Sequence, residues 1–293
     1  MADRSDRSEI RFFQNRVAVL ATMHGKEQAI APILESEFGL KIQVPAEFDT
    51  DRFGTFTREI DRSGTQLEAA RKKSLDAIAQ TGADLAIASE GSFAPHPAFP
   101  MLAYDRELVI LIDVLNGLEI VGEAISTETN FNHCRVSNFD QANQFAIKIG
   151  FPEHKLIVMV HRDSTDPNDI FKSIADFDQL REIVAIALDR SVTGTIHLET
   201  DMRAMHNPSR MHTIAQATRD LAEKLNQCCP NCSIPGFTVV QTRNGLLCRW
   251  CGEPTDLTLS EICRCQKCGF EQENLYPNQI KAADPMYCPA CNP

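Results

Sequence analysis

Positive charge is scarce in this chain. Its 293 residues carry 29 Lys and Arg against 40 Asp and Glu, a formal net charge of −11. Such a surface does not attract nucleic acid or anionic membranes by bulk electrostatics, so neither is an expected partner, although a local basic site stays open. Long apolar runs are also missing. None approaches the ~20 residues needed to cross a bilayer. The polar stretch MADRSDRSEIR lacks the apolar centre of a signal peptide. Residues 1–12 are therefore expected to form a short disordered tail, with the cytoplasm as the default location. Cysteine is nearly absent from most of the chain: only Cys134 precedes residue 228, and the other ten of the eleven follow it. That contrast predicts an α/β domain over 13–226 and a separate module over 227–293.

What the module does contain is regular. Cys229-Pro-Asn-Cys232, Cys248-Arg-Trp-Cys251, Cys265-Gln-Lys-Cys268 and Cys288-Pro-Ala-Cys291 are four Cys-x-x-Cys pairs. Fifteen residues separate the first pair from the second and nineteen the third from the fourth, spacings that suit four-cysteine zinc sites. A tight turn at each pair aims two thiolates at one point, and two such turns enclose a tetrahedral ion. An odd cysteine count without a secretion signal argues against disulfides. The expectation is a double zinc ribbon with two zinc ions, pairing the knuckles sequentially; an interleaved cross-brace is the alternative that spacing leaves open. With every ligand a thiolate, both zincs are structural. Cys228 and Cys263 are left over as spare thiols. The module holds five Lys/Arg and six Asp/Glu, which is no stripe for a phosphate backbone, so it reads as a clamp on the main domain or a protein-contact surface.

Ahead of the module, apolar runs alternate with amphipathic segments. Strands are predicted at 16–22, 40–44, 84–89, 107–115, 118–125, 156–160 and 192–198. Helices are predicted at 26–38, with Pro32 as a blemish that kinks or delays it, and at 65–80, 138–149, 176–189 and 207–225. Thr65 with Glu68 forms a capping box, Asn116-Gly117 marks a hairpin, and Pro208 follows the cap Asn207. The implied fold class is α/β, a mixed, mainly parallel sheet with helices on both faces.

Ligands of open α/β sheets bind beyond the carboxyl ends of the strands, and polar residues collect there. Thr22, His24 and Lys26 lie between the first strand and its helix. Glu90 precedes Gly91 where the third strand is expected to give way to a loop containing Pro95, His96 and Pro97. Glu68 and Lys72 stand one turn apart. Asp201, Arg203 and Arg210 surround a helix start, where arginine opposes the helix dipole unless an anion is bound. Arg52, Arg58 and Arg62 around Phe53-Gly54-Thr55-Phe56 offer a second phosphate grip. Acidic groups able to hold magnesium, facing Lys and Arg able to hold phosphate, are the parts of a metal-assisted phosphoanhydride site. Cys134 beside His133 makes no thiol dyad, because neighbours on a strand point opposite ways.

The order of these pieces resembles the inosine/xanthosine triphosphatase superfamily of house-cleaning nucleotide pyrophosphatases. VAVLATMHGKEQAIAPIL is similar to its first strand and Thr-x-Asn-x-x-Lys loop, with His24 standing at the Asn. TQLEAARKKSLDAI resembles its Glu- and Lys-bearing helix, LAIASEGSF its acidic strand end, and HLETDMRAMHNPSRMHTIAQA its late loop and last helix. The resemblance implies that Lys26 contacts phosphate, that Glu68 and Glu90 hold the metal as catalytic carboxylates, and that Arg203 and Arg210 contact nucleotide. The whole chain also resembles uncharacterised bacterial proteins with GSF-x-PHP and ETDMRAM signatures. The expected function is a magnesium-dependent hydrolase of a nucleoside triphosphate or related phosphoanhydride. The alternative is a non-catalytic nucleotide sensor or scaffold that uses the zinc ribbon for protein contact.

Overall fold

The computed structural model describes residues 12–46, 48–50, 64–96 and 98–293. The expected tail, apart from Phe12, lies outside the described residues, as do Arg52, Arg58 and Arg62 with the segment around them, and Pro97.

Five strands form the first sheet: β1 (Val17–Ala21), β2 (Lys41–Gln43), β3 (Leu85–Pro95), β4 (Ala103–Asp113) and β5 (Leu118–Ser126), in the order β2-β1-β3-β4-β5. Helix α1 (Glu27–Phe38) carries the chain from β1 to β2 and α2 (Gln66–Thr81) lies between β2 and β3 in the chain, so these strands run parallel. No helix separates β3, β4 and β5. Tight connections can join only antiparallel neighbours, and both pairings are antiparallel. The sheet is mixed, but the expected parallel majority is corrected: parallel pairing stops at β1 with its two neighbours.

The alternation of side chains sorts the core into two layers. Leu20, Leu85, Ile87, Val109 and Leu111 pack with α1 and with the long helix α5 (Pro208–Asn226) on one face. Val19, Ala86, Ala88, Leu108 and Ile110 pack on α2 across the other. Each fully buried Leu or Ile there contributes about 1.5–3 kcal/mol. Gly122 of β5 is required by this packing, since a Cβ would lie 2.2 Å from the Ala217 carbonyl oxygen of α5. The predicted caps form: the Thr65–Glu68 capping box is complete, and Asn207 accepts from the Arg210 N–H. Helix α1 runs through Pro32 and ends at Gly39 in the left-handed region.

A second sheet was not foreseen as separate. It contains β6 (His133–Val136), β7 (Leu156–Met159), β8 (Ile170–Ile174) and β9 (Ile196–Thr200) in the order β6-β9-β7-β8, all antiparallel. Helices α3 (Phe139–Ile149) and α4 (Phe177–Arg190) cover one face through Val136, Phe145, Leu156, Val158, Leu180, Val184 and Leu198. Cys134 packs against this core, while His133 is exposed.

The C-terminal module is a three-stranded antiparallel meander of β10 (Thr238–Asn244), β11 (Thr258–Arg264) and β12 (Glu271–Leu275). The meander decides the knuckle pairing. Knuckle one precedes β10 and knuckle three joins β11 to β12, so both sit at one end. Knuckles two and four sit at the other. The two clusters are therefore Cys229, Cys232, Cys265 and Cys268, and Cys248, Cys251, Cys288 and Cys291. Sequential pairing is corrected to the interleaved alternative, because alternate turns of an antiparallel meander share an end. Among the described residues no helix is long and apolar enough to cross a membrane.

Candidate functional site

Strand β1 stops pairing at Ala21 opposite Ala88, whereas β3 continues on β4 as far as Pro95. The expected loop after Ser89 is thus strand, and Glu90 lies within it, 5% exposed. Past Ala88, β1 no longer flanks β3, and the β1–α1 turn fills the space. Lys26, the residue before α1, is buried there, and its Nζ donates to the Ser89 carbonyl at 3.2 Å and to Ser89 Oγ at 3.0 Å. Thr22 is buried in the same turn, and its hydroxyl accepts from the His24 N–H at 3.4 Å.

Around this turn the sheet buries an unusual number of charges. On the α2 face, Glu90 Oε1 meets Lys73 Nζ at 2.5 Å, with both side chains buried. Gln66 ties the strands beneath them, donating to the Glu90 and Arg106 carbonyls. On the α5 face, Arg210 Nε donates to Glu107 Oε1 at 2.6 Å, and both side chains are 0% exposed. Arg210 Nη1 also donates to the Met202 carbonyl, and its guanidinium lies 5.5 Å over the Phe93 ring. Gly91 makes this possible: a Cβ there would lie 2.1 Å from Glu107 Oε1 and 2.6 Å from Arg210 Nη2. Arg203 grips the buried Asp201 with Nε at 3.0 Å and Nη2 at 2.6 Å, and its Nη2 also donates to Ser173 Oγ.

Electrostatics follow from this crowding. Burial is the main force lowering Lys26 to about 7; Arg210 adds to it, while Glu107 pulls the other way. His24 falls to about 4, first through burial and then through the positive charge of Lys26, Arg210, Arg203 and Lys73. Asp105, 1% exposed, rises to about 8 through burial and the neighbouring Glu107, with Arg210 opposing. Among the described residues, Asp105 Oδ1 and Glu107 Oε2 are buried without a hydrogen-bond partner.

The residues expected from sequence therefore divide. Thr22, Lys26, Glu90 and Arg210 are buried around the end of β1, and the charges of Arg203 and Arg210 act on His24 there. Glu68 is exposed on the first turn of α2, where its carboxylate accepts from the Thr65 N–H at 2.7 Å and is held below the usual range mainly by that bond. Lys72 is also exposed. Arg203 and Arg210 each spend their guanidinium on a carboxylate. Sequence reasoning missed Lys73, Asp105 and Glu107, yet each had a signal. Lys73 continues the stripe Gln66, Ala69, Ala70, Ala77 on α2. Asp105 and Glu107 have the parity of Val109 and Leu111, so they point into the α5 layer.

The cysteine clusters fit zinc. Paired Sγ atoms lie 3.7 Å apart for Cys229–Cys268, 3.6 Å for Cys232–Cys265, 3.9 Å for Cys248–Cys291 and 3.6 Å for Cys251–Cys288. Tetrahedral zinc–sulfur bonds of about 2.3 Å put sulfurs about 3.8 Å apart. All four knuckles share one turn, with the N–H of Ser233, Gly252, Gly269 and Asn292 donating to the carbonyl of the first cysteine of its knuckle. Cys228 and Cys263 belong to neither cluster. Gln266, inside knuckle three, pairs with the β5 backbone: its Oε1 accepts from the Glu119 N–H at 2.8 Å and its Nε2 donates to the Glu119 carbonyl at 2.6 Å. Lys267 adds a bond to the Asn116 carbonyl. The module thus grips the open edge of the first sheet.

Fold and site together define an α/β protein with a buried charge cluster at the end of β1 and two tetracysteine centres able to hold zinc. The chain belongs to the family described as a domain of unknown function, DUF6671, whose match spans residues 73–293. That span runs from Lys73 on α2 through both cysteine clusters. No curated protein matches the chain.

Proposed function

We propose that the charge cluster at the end of β1 binds the phosphate chain of a nucleoside triphosphate or related phosphoanhydride, and that the chain hydrolyses it with magnesium. The observation that carries this reading is Lys26. Its ammonium is buried, and the bonds it makes go to the two oxygens of Ser89 rather than to a carboxylate. Burying a cation that way is costly, and a bound phosphate would compensate it.

Of the two carboxylates first expected to hold metal, Glu90 stays with the cluster and Glu68 serves as a cap. Glu107 and Asp105 add buried carboxylate oxygens close to Arg210. Magnesium takes oxygen ligands, and these groups are of that kind. When bound, the ion would neutralise phosphate charge and activate water. Lys26 would hold phosphate, Ser89 would orient Lys26, and Glu90 would be released from Lys73 or stay paired according to whether it takes the ion. The likeness to the nucleotide pyrophosphatases supports the same assignment of Lys26 and Glu90. We assign zinc to the two cysteine clusters in a structural role, with the module clamped on β5.

One observation favours the non-catalytic alternative. Glu90, Glu107 and Asp201 each already face a basic partner, Lys73, Arg210 and Arg203, so these carboxylates are neutralised without a metal ion. A nucleotide panel assayed for magnesium-dependent pyrophosphate release separates the readings. Release by the native chain that disappears in Lys26→Met supports the hydrolase. Nucleotide binding lost in Lys26→Met, with no turnover, supports a sensor. Neither binding nor release rejects both.

A further inference from the structure

The second sheet meets the chain ahead of α5 at a β-bulge. Leu156 and Val158 of β7 pair with Ile174 and Phe171 of β8, so Lys172 and Ser173 of β8 together face the single residue between Leu156 and Val158. Bulges of this kind re-aim a side chain and recur beside active sites. Ser173 has a φ of 60°, the left-handed region in which a residue with a Cβ is strained. The side chain so turned is exposed and reaches Arg203 and His206.

The Ser173 hydroxyl lies between a cation and an imidazole. Its Oγ accepts from Arg203 Nη2 at 2.9 Å, and His206 Nε2 stands 3.1 Å away. A hydroxyl has one proton to donate, and a guanidinium cannot accept it. A neutral His206 can. Burial is the main force holding the His206 imidazole below its ordinary value; Asp201 opposes it, and Arg203 and Lys155 add to the lowering. The ring is therefore neutral at pH 7. It also bonds the Met205 backbone in the sense that favours an N–H on the ring, which leaves Nε2 as the acceptor. The residue is fixed by its own backbone, whose N–H donates to the Arg203 carbonyl at 2.9 Å and whose carbonyl accepts from the Lys155 N–H at 3.1 Å. A hydroxyl within about 2.6–3.2 Å of a base that a third group orients is the arrangement of an activated nucleophile.

We propose that Ser173 is a nucleophile for carboxylic esters, with His206 as its general base. Ser173 Oγ would bond the ester carbonyl carbon while its proton passes to His206 Nε2. The carbon–oxygen bond to the alcohol then breaks, and Nε2 returns the proton to that oxygen. Water, deprotonated by the same nitrogen, releases the acid and restores the serine. Arg203 places positive charge beside the oxyanion that forms at the carbonyl oxygen. The proposal is independent of the phosphoanhydride reading, since neither Ser173 nor His206 is in the Lys26 cluster.

A fluorophosphonate probe tests it, because forming the Oγ–P bond with loss of fluoride needs the same activated hydroxyl. The full chain, with zinc present, is treated with the probe, and mass spectrometry of its peptides locates the label. One label per chain is expected, on Ser173, absent in Ser173→Ala and formed at least tenfold more slowly in His206→Gln, whose amide can bond the hydroxyl but is no base. Ser173 is exposed, so Ser173→Ala should keep the zinc content and melting temperature of the native chain. p-Nitrophenyl acetate should be hydrolysed by the native chain, with that activity lost in Ser173→Ala. Lys26→Met is expected to leave labelling intact while abolishing pyrophosphate binding, so the two readings fail separately. No label, a label on another residue, or labelling of His206→Gln at the native rate overturns the pair. A label on Ser173 without release of p-nitrophenol overturns the assignment to esters.

Discussion

Asp105→Asn should stabilise the protein at neutral pH, against the usual outcome of changing a buried polar residue. Asp105 sits in β4 one alternation from Glu107, almost fully buried, and titrates near 8 instead of near 3.8. The folded state therefore holds a proton that the unfolded state releases throughout that interval. A raised carboxyl costs nothing below the unfolded value, and stability then falls as pH rises toward the folded value. Taking 1.36 kcal/mol per pH unit, the penalty is about 1 kcal/mol at pH 4.5 and about 4 kcal/mol at pH 7. Asparagine has nothing to protonate, and its amide can donate to Glu107 as the acid proton does. The variant should therefore match the native chain near pH 4.5 and exceed it by about 2–4 kcal/mol at pH 7. Urea unfolding at pH 4.5, 6 and 7.5, with zinc held constant, measures the difference. A variant less stable at pH 7.5, or offset equally at every pH, would refute the assignment of a buried neutral acid.

Three more expectations follow from particular contacts. Cys232→Ser with Cys265→Ser should remove one zinc and leave the other, because both residues belong to one cluster; sequential pairing would lose both ions, and metal analysis distinguishes the outcomes. Lys73→Met should cost about 3–5 kcal/mol by removing the ion-pair partner of the buried Glu90, and adding Glu90→Gln should recover part of that loss in chemical denaturation; additive losses would mean the two side chains do not depend on each other. Pyrophosphate binding at pH 7.5 should take up most of one proton, since an anion beside Lys26 raises it from about 7; calorimetry in buffers of different ionisation enthalpy reads the uptake, and proton release would contradict the phosphate contact.

The sequence was informative wherever one local rule governs. Asn116-Gly117 forced a hairpin, Thr65 with Glu68 closed a capping box, and the four knuckles announced tetrahedral sites. It was less informative where partners are distant. Asn207 and Pro208 marked the start of α5, but nothing local said that Arg210 would reach Glu107 over Gly91. The knuckle spacing was equally compatible with two pairings until the meander of β10, β11 and β12 chose one. The separation of the strands into two sheets depends on β9 inserting between β6 and β7, and no property of residues 196–200 alone specifies that.

Glu90 shows how far periodicity reaches and where it stops. Read as the first residue beyond a strand ending at Ser89, it faced solvent or a metal. Extended pairing with β4 places it inside the strand, and parity with Ala86 and Ala88 turns it toward α2. There the stripe of α2 presents Lys73, one residue beyond the Lys72 that i,i+4 spacing from Glu68 had suggested. A 100° step along the helix separates a solvated lysine from a buried one. Buried ion pairs are poor sources of stability, because well-packed apolar side chains often serve as well or better. Elsewhere the layers of this sheet are mainly Ala, Val, Leu and Ile, although β4 also buries Asp113 against Arg16 at its other end. Lys73 with Glu90, Arg210 with Glu107 and Arg203 with Asp201 nevertheless accompany Lys26 in the structure. Their gathering around Lys26 is the ground on which the proposed ligand site rests.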